Sequence, residues 1–175
     1  MKRVITLIGF LALMMSFKNG FSQDYGVSLA FSTNNMLSFD FLLANEKNRF
    51  HIGFSTQFNG QKNAVVRERG PNYGLTRIGN GDSYWLVDFG YGRQLGKLVV
   101  IQPEIGFGGQ NFFTNYSDGR FRDGGYSLIT KTEIKAAIGI NCGILLQENI
   151  EFFLGLNTIK KLNFGFRYLW KKAGS

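Results

Sequence analysis

Few side chains in this 175-residue chain could do chemistry: His51 is its single histidine and Cys142 its single cysteine. A multi-histidine metal centre and an intrachain disulfide are both outside its reach. His51 could act as a general base only with a nucleophile within about 3 Å. The nearest hydroxyl in its own stretch, HIGFS, is Ser55. Four residues of extended chain span roughly 13 Å, so the two cannot share a hydrogen bond. GFGG at 106–109 is glycine-rich but runs on into more alternating sequence, without the helix that a phosphate-cradling loop needs. Asn115-Tyr116-Ser117 has the form of a glycosylation acceptor, a pattern common by chance. Arg67, Arg69, Arg120 and Arg122 bring positive charge without the aromatic spacing that grips nucleic acid. The residues predict no catalytic set, no metal, no cofactor and no nucleic-acid partner.

The elements that would position these groups follow a period of two. YWLVDFGYG, Tyr84–Gly92, sets Trp85, Val87, Phe89 and Tyr91 on one face against Leu86, Asp88, Gly90 and Gly92 on the other. Aromatic-rich alternation of that length is a β-strand. Seven more segments share it, with bulky faces Tyr25–Phe31, Leu37–Leu43, Phe50–Phe54, Val99–Phe107, Ile134–Leu146, Ile150–Leu156 and Leu162–Trp170. No i, i+3, i+4 pattern competes after residue 23, so the fold is expected to be all-β.

The connections alternate in length. NEKN at 45–48, a turn around Gly96 and QEN at 147–149 are short, whereas 58–82 and 114–125 are long and rich in Gly, Asn and Asp. Short turns at one end and longer loops at the other predict an eight-stranded antiparallel up-and-down transmembrane barrel. The non-aromatic face is Gly, Ser, Ala, Asn and Gln with scattered charge, which suits the crowded lumen of a barrel of about 8 strands. A soluble lipocalin-like barrel has the same alternation with its apolar face inward, but its exterior would then be this glycine-rich, charge-poor surface.

Inward parity assigns Asp40, His51, Asp88, Glu104, Lys135, Glu151 and Arg167 to the lumen. Buried charge persists only when paired, so the register is expected to set Glu104 opposite Lys135, with 114–125 as the loop. It sets Glu151 diagonal to Arg167 and Asp40 diagonal to His51. Pro103 lies inside a strand of a closed barrel and calls for a bulge near the short-turn end.

Lys2 and Arg3, the uncharged run Val4–Phe17 and the small residues Gly20 and Ser22 read as a signal peptide of residues 1–22, cut before Gln23. The barrel domain would then be 23–175, with 17 basic and 12 acidic residues, a net charge of +5. The long-loop end holds Lys62, Arg67, Arg69, Arg77, Arg120, Arg122, Lys160 and Lys161 against four acidic residues, a basic rim of net +4. Such a rim could be an ordinary solvated surface, or it could meet lipid A phosphates or an anionic partner outside the cell.

The C-terminal NFGFRYLW resembles the last strand of outer-membrane barrels, in which Asn163, Gly165, Tyr168 and Trp170 would be the signal for the barrel-assembly machinery. The family usually ends at the aromatic residue; here KKAGS follows. With PEIGFGG at 103–109, the chain resembles the small outer-membrane barrel proteins common in Bacteroidetes, similar in architecture to OmpA- and OmpX-type barrels. That resemblance implies the bacterial outer membrane, lipid A as a neighbour and a monomer, but no activity. Some similar barrels modify lipid A using His with Ser. The leading expectation is a non-catalytic barrel with a closed lumen and basic extracellular loops, the alternatives being a lipid A-modifying enzyme or a small-solute channel.

Overall fold

A computed structural model of the chain describes residues 24–45, 47–58, 61–62 and 64–170. The expected signal peptide and the KKAGS tail lie outside the described residues. The elements are β1 (Asp24–Ser32), β2 (Met36–Asn45), β3 (Asn48–Gln57), β4 (Ala64–Val66), β5 (Thr76–Leu95), β6 (Val99–Ser117), β7 (Gly125–Gln147), β8 (Ile150–Asn157) and β9 (Lys161–Trp170). Eight of them form a closed antiparallel ring in the order β7-β6-β5-β3-β2-β1-β9-β8, shut by the β7–β8 pairing. β4 adds to the upper edge of β7 in parallel. The chain therefore folds as an eight-stranded antiparallel up-and-down transmembrane barrel.

The period of two decides which face is inside. Along β9, Asn163, Gly165, Arg167 and Leu169 are buried, while Leu162, Phe164, Phe166, Tyr168 and Trp170 are exposed. Phe39, Phe41, Phe54, Ile105, Phe107, Ile138 and Leu154 stand out from their strands in the same way. An apolar belt of this extent has no aqueous home and matches the lipid-facing band of a membrane barrel. The first and last strands of the ring, β1 and β9, pair from Tyr25↔Trp170 to Ser32↔Asn163. Gly165 matters at this seam, because a Cβ there would collide with the Leu29 carbonyl. Gly96, at φ +63°, makes the tight β5–β6 turn that an L side chain would strain.

Three expectations need correction. Residues 58–82 and 114–125 are not simple loops: β5 begins at Thr76, β6 runs to Ser117 and β7 starts at Gly125, opposite Ser117. β3 releases β5 at Trp85, so residues 76–84 rise beyond the ring, roughly 30 Å of strand. The longer β6–β7 hairpin, with a register shift beside Phe112, sets Glu104 opposite Gly139 and Lys135 opposite Gly108, so Glu104 and Lys135 do not face each other. Pro103 makes no bulge. The β5–β6 ladder keeps one register from Gly90↔Glu104 to Arg93↔Ile101 and omits the pairs between, where the missing N–H of Pro103 falls.

Candidate functional site

The inward residues form a layered plug. At its centre His51 on β3 places Nε2 3.0 Å from Asp88 Oδ1 on β5 and 3.8 Å from Glu104 Oε2 on β6. Glu104 accepts hydrogen bonds from Asn141 (2.7 Å) and Asn157 (2.6 Å). Asp40 on β2 accepts one from Ser28 at 2.8 Å. Nearer the short-turn end, Glu151 bonds to Arg167 at 2.6 Å and also pairs with Arg49. The Arg167 guanidinium lies 4.0 Å from the Phe153 ring centroid. Every member of this network is buried.

The register brings Glu151 directly opposite Arg167, one step closer than the expected diagonal. Asp40 and His51 are diagonal, as expected, since Leu42 faces His51 and Gly53 faces Asp40. Lys135 does not enter the network. Its ammonium binds Glu133 at 2.7 Å and its side chain is 39% exposed, because β7 carries it to the barrel mouth.

The place intended for Lys135 is filled by Lys160. This residue was expected on the outer rim, yet it is 2% exposed. Its Nζ lies 3.0 Å from Glu104 Oε1 and 3.3 Å from Asp88 Oδ2. The β8–β9 turn folds inward to deliver it, with Asn157 Oδ1 accepting the backbone N–H groups of Ile159 and Lys160 at 2.8 and 3.1 Å. Arg49 was also missed, although strict alternation from Phe50 would have turned it inward.

His51, Asp88 and Glu104 present metal-type ligand atoms within 4.8 Å of one another. The positive charge set against both carboxylates is that of Lys160. Ser55, the nucleophile considered for His51, instead shares a 2.7 Å hydrogen bond with Ser38. His51 and Ser55 therefore have separate partners.

Apolar clusters flank the network toward both ends. Ile159 packs with Met36, Leu86 and Ala137, with Tyr84 alongside, across the mouth beneath the long strands. Leu42, Ala44 and Leu169 pack together toward the other end, where Ala44, Arg49 and Leu169 line a cavity of 350 Å³. Buried ion pairs gain strength from such dry surroundings and lose heavily if one partner is removed.

Above the lid, β5, β6 and β7 continue as a three-stranded sheet with β4 at its edge. Tyr126 is fully buried there against Tyr73, Tyr116 and Phe121, with ring centroids 5.1 to 5.3 Å away. Tyr126 Oη donates to the Gly74 carbonyl at 2.9 Å. Asp118 accepts from Gly74 N at 2.7 Å and from Arg120 Nε at 2.8 Å. The Arg120 hydrogen bonds, followed by that from Gly74, hold the Asp118 carboxyl well below the usual carboxylate range. Arg120 lies over Tyr73 and Arg69 over Tyr116, at 5.5 and 5.2 Å.

The rest of the expected rim is divided. Lys62 donates from Nζ to the Asp123 carbonyl at 3.3 Å, and Arg67, Arg77, Arg122 and Lys161 are exposed. Of the expected assembly signal, Asn163 and Gly165 point inward, while Tyr168 and Trp170 meet edge to face outside, centroids 5.2 Å apart.

Together these features define a small transmembrane β-barrel with a packed, charged lumen and an extended sheet at one end. No family model matches the sequence, and no curated protein is similar to it in sequence. Among solved structures the chain is similar to Ail, the attachment invasion locus protein of Yersinia pestis, with 12% identity, a TM-score of 0.45, and 84% of this chain and 91% of that one covered. Neisserial surface protein A is similar with 11% identity, a TM-score of 0.41, and 83% and 93% covered. A de novo designed transmembrane barrel has 11% identity, a TM-score of 0.43, and 87% and 98% covered.

Proposed function

We propose that this protein is a non-catalytic barrel of the bacterial outer membrane whose working surface is the sheet that β5, β6 and β7 raise outside the cell. The observation that carries this reading is the contrast between the two halves. The lumen is filled by buried ion pairs between the Ile159 and Leu169 clusters, whereas the sheet above has its own aromatic core. The exposed cations Arg67 beside β4, Arg77 on β5 and Arg122 in the β6–β7 turn suit an anionic surface partner, because clustered charge steers and holds opposite charge.

In this reading residues 1–22 direct export, and the barrel-assembly machinery engages Asn163, Gly165, Tyr168 and Trp170. The monomer then sits among lipid A molecules, and nucleic acid plays no part. The test uses intact cells on dextran sulfate-coated surfaces. Cells carrying the protein should adhere in a salt-sensitive way, and alanine at Arg67, Arg77 and Arg122 should abolish the gain while surface protease accessibility stays unchanged. Equal adhesion by the triple variant would defeat the reading.

A further inference from the structure

Above Gly139 the barrel wall opens. β8 last pairs with β7 at Gly139↔Asn157, and Thr158 closes the seam with two bonds to Ile138, N to O at 3.0 Å and Oγ1 from N at 3.2 Å. β7 continues upward, and β4 rejoins that edge only at Tyr126–Leu128. The notch between has a volume of 260 Å³ and is lined by Asn34, Gln110, Lys135, Ile159 and Lys161, among others. On the outer wall below it, an apolar groove of 550 Å³ runs over Ile138, Ile140, Leu156 and Leu162. Thr158 and Lys161 line both, so notch and groove are continuous.

Charge and polarity together say what fits. Lys135 shares its carboxylate partner, Glu133, with Lys131, and Asp82 accepts from the notch residue Gln110 at 2.8 Å, so these four charged groups and Lys161 carry a net charge of +1 around the notch. Lys161 is held there at φ +64°, a conformation lysine seldom adopts, so the turn fixes its backbone at the rim. The groove lies in the lipid-facing belt, where Ile138 is 66% and Leu156 62% exposed. A ligand for both parts needs an anionic head and an acyl chain in one molecule, with the chain entering from the bilayer.

The geometry points to a lipid A site, with a phosphate in the notch between Lys135 and Lys161 and one acyl chain along the Ile138–Leu162 groove. The inference rests on the outer-membrane reading. The notch lies at the end opposite the short turns, hence in the outer leaflet, where lipid A is the anionic amphiphile. Lys160, one residue away, takes no part because it is committed to the lumen.

The test is native mass spectrometry of the purified protein folded in detergent and titrated with bis-phosphorylated lipid A, dephosphorylated lipid A or phosphatidylglycerol. One lipid A per barrel should be retained, with binding roughly tenfold weaker once its phosphates are removed. Lys135→Met with Lys161→Met should weaken it by a similar factor, Lys135→Arg with Lys161→Arg should restore it, and Lys97→Ala, exposed in the β5–β6 turn at the opposite end, should leave it unchanged. Heat-modifiable gel migration confirms that each variant is folded. Binding indifferent to the phosphates or to the two lysines overturns the site, and equally tight phosphatidylglycerol overturns lipid A as its occupant. A protein that folds without detergent and leaves the outer membrane empty overturns the outer-membrane reading itself.

Discussion

Replacing Lys160 with Met tests the inward fold of the β8–β9 turn. Methionine keeps most of the length and packing of the lysine stem, so the change isolates the ammonium. That ammonium faces Glu104 at 3.0 Å and Asp88 at 3.3 Å, and all three groups are buried. Removing one partner of a buried ion pair costs about 3–5 kcal/mol, because the remaining charge stays unpaired in a dry site. Asp88 keeps its His51 contact and Glu104 its two asparagine donors, so the low end, about 3 kcal/mol, is expected. Adding Glu104→Gln removes one of the two stranded charges and should recover at least about 1 kcal/mol as coupling. Lys161→Met, one residue on and exposed, should change stability by no more than about 0.5 kcal/mol. The assay is urea unfolding in detergent micelles without lipid A, followed by the fluorescence of Trp85 and Trp170. Equal midpoints for Lys160→Met and Lys161→Met would show that Lys160 does not neutralise the lumen acids.

Glu151→Gln should leave the Arg49 and Arg167 guanidinium groups without their shared carboxylate, costing about 3 kcal/mol in the same urea assay; a midpoint like wild type would dissolve the lower ion network. Asp118→Asn should make the 61–75 segment several-fold more sensitive to protease while the barrel still migrates as a folded band. Because the folded Asp118 pKa lies below its ordinary 3.8, the stability this carboxyl contributes is complete above pH 3.8 and is lost only as pH falls through the lowered value, so protease resistance of the wild-type segment should be the same at pH 7 and pH 5. Tyr168→Ala with Trp170→Ala should leave unfolded chain in the periplasm with its export sequence removed, and normal surface display of this variant would remove these aromatics from the assembly signal. Planar-bilayer recordings should show no steady conductance, since Ile159 and Leu169 stand in apolar clusters at opposite ends of the lumen; sustained single-channel steps would mean that one of them leaves its seat.

The wall of this barrel was legible because alternation is a local property. A strand that reads Asn163, Gly165, Arg167 against Phe164, Phe166, Tyr168 has one face fit for a crowded lumen and one fit for lipid, whatever its neighbours do. The ion partners were not legible to the same degree, because partnership depends on register and register depends on where hairpins turn. Treating the polar run 114–125 as loop placed Lys135 opposite Glu104; the strands in fact continue to Ser117 and from Gly125, and that shift leaves Lys135 at the mouth. Lys160 was hidden for a different reason. A lysine in a turn between two strands normally reaches for water, and no periodicity marks one that turns inward. What draws it in is the acid left over around His51: Asp88 and Glu104 face one imidazole with Asp40 buried on the neighbouring strand, and buried carboxylates need a cation of their own. The nearest flexible cation is on the turn above them, and carrying it inward also seats Ile159 against Met36, Leu86 and Ala137. Charge neutralisation below and the apolar lid above are thus two results of one turn conformation, so a substitution that expels Lys160 should loosen the lid as well as the ion pairs.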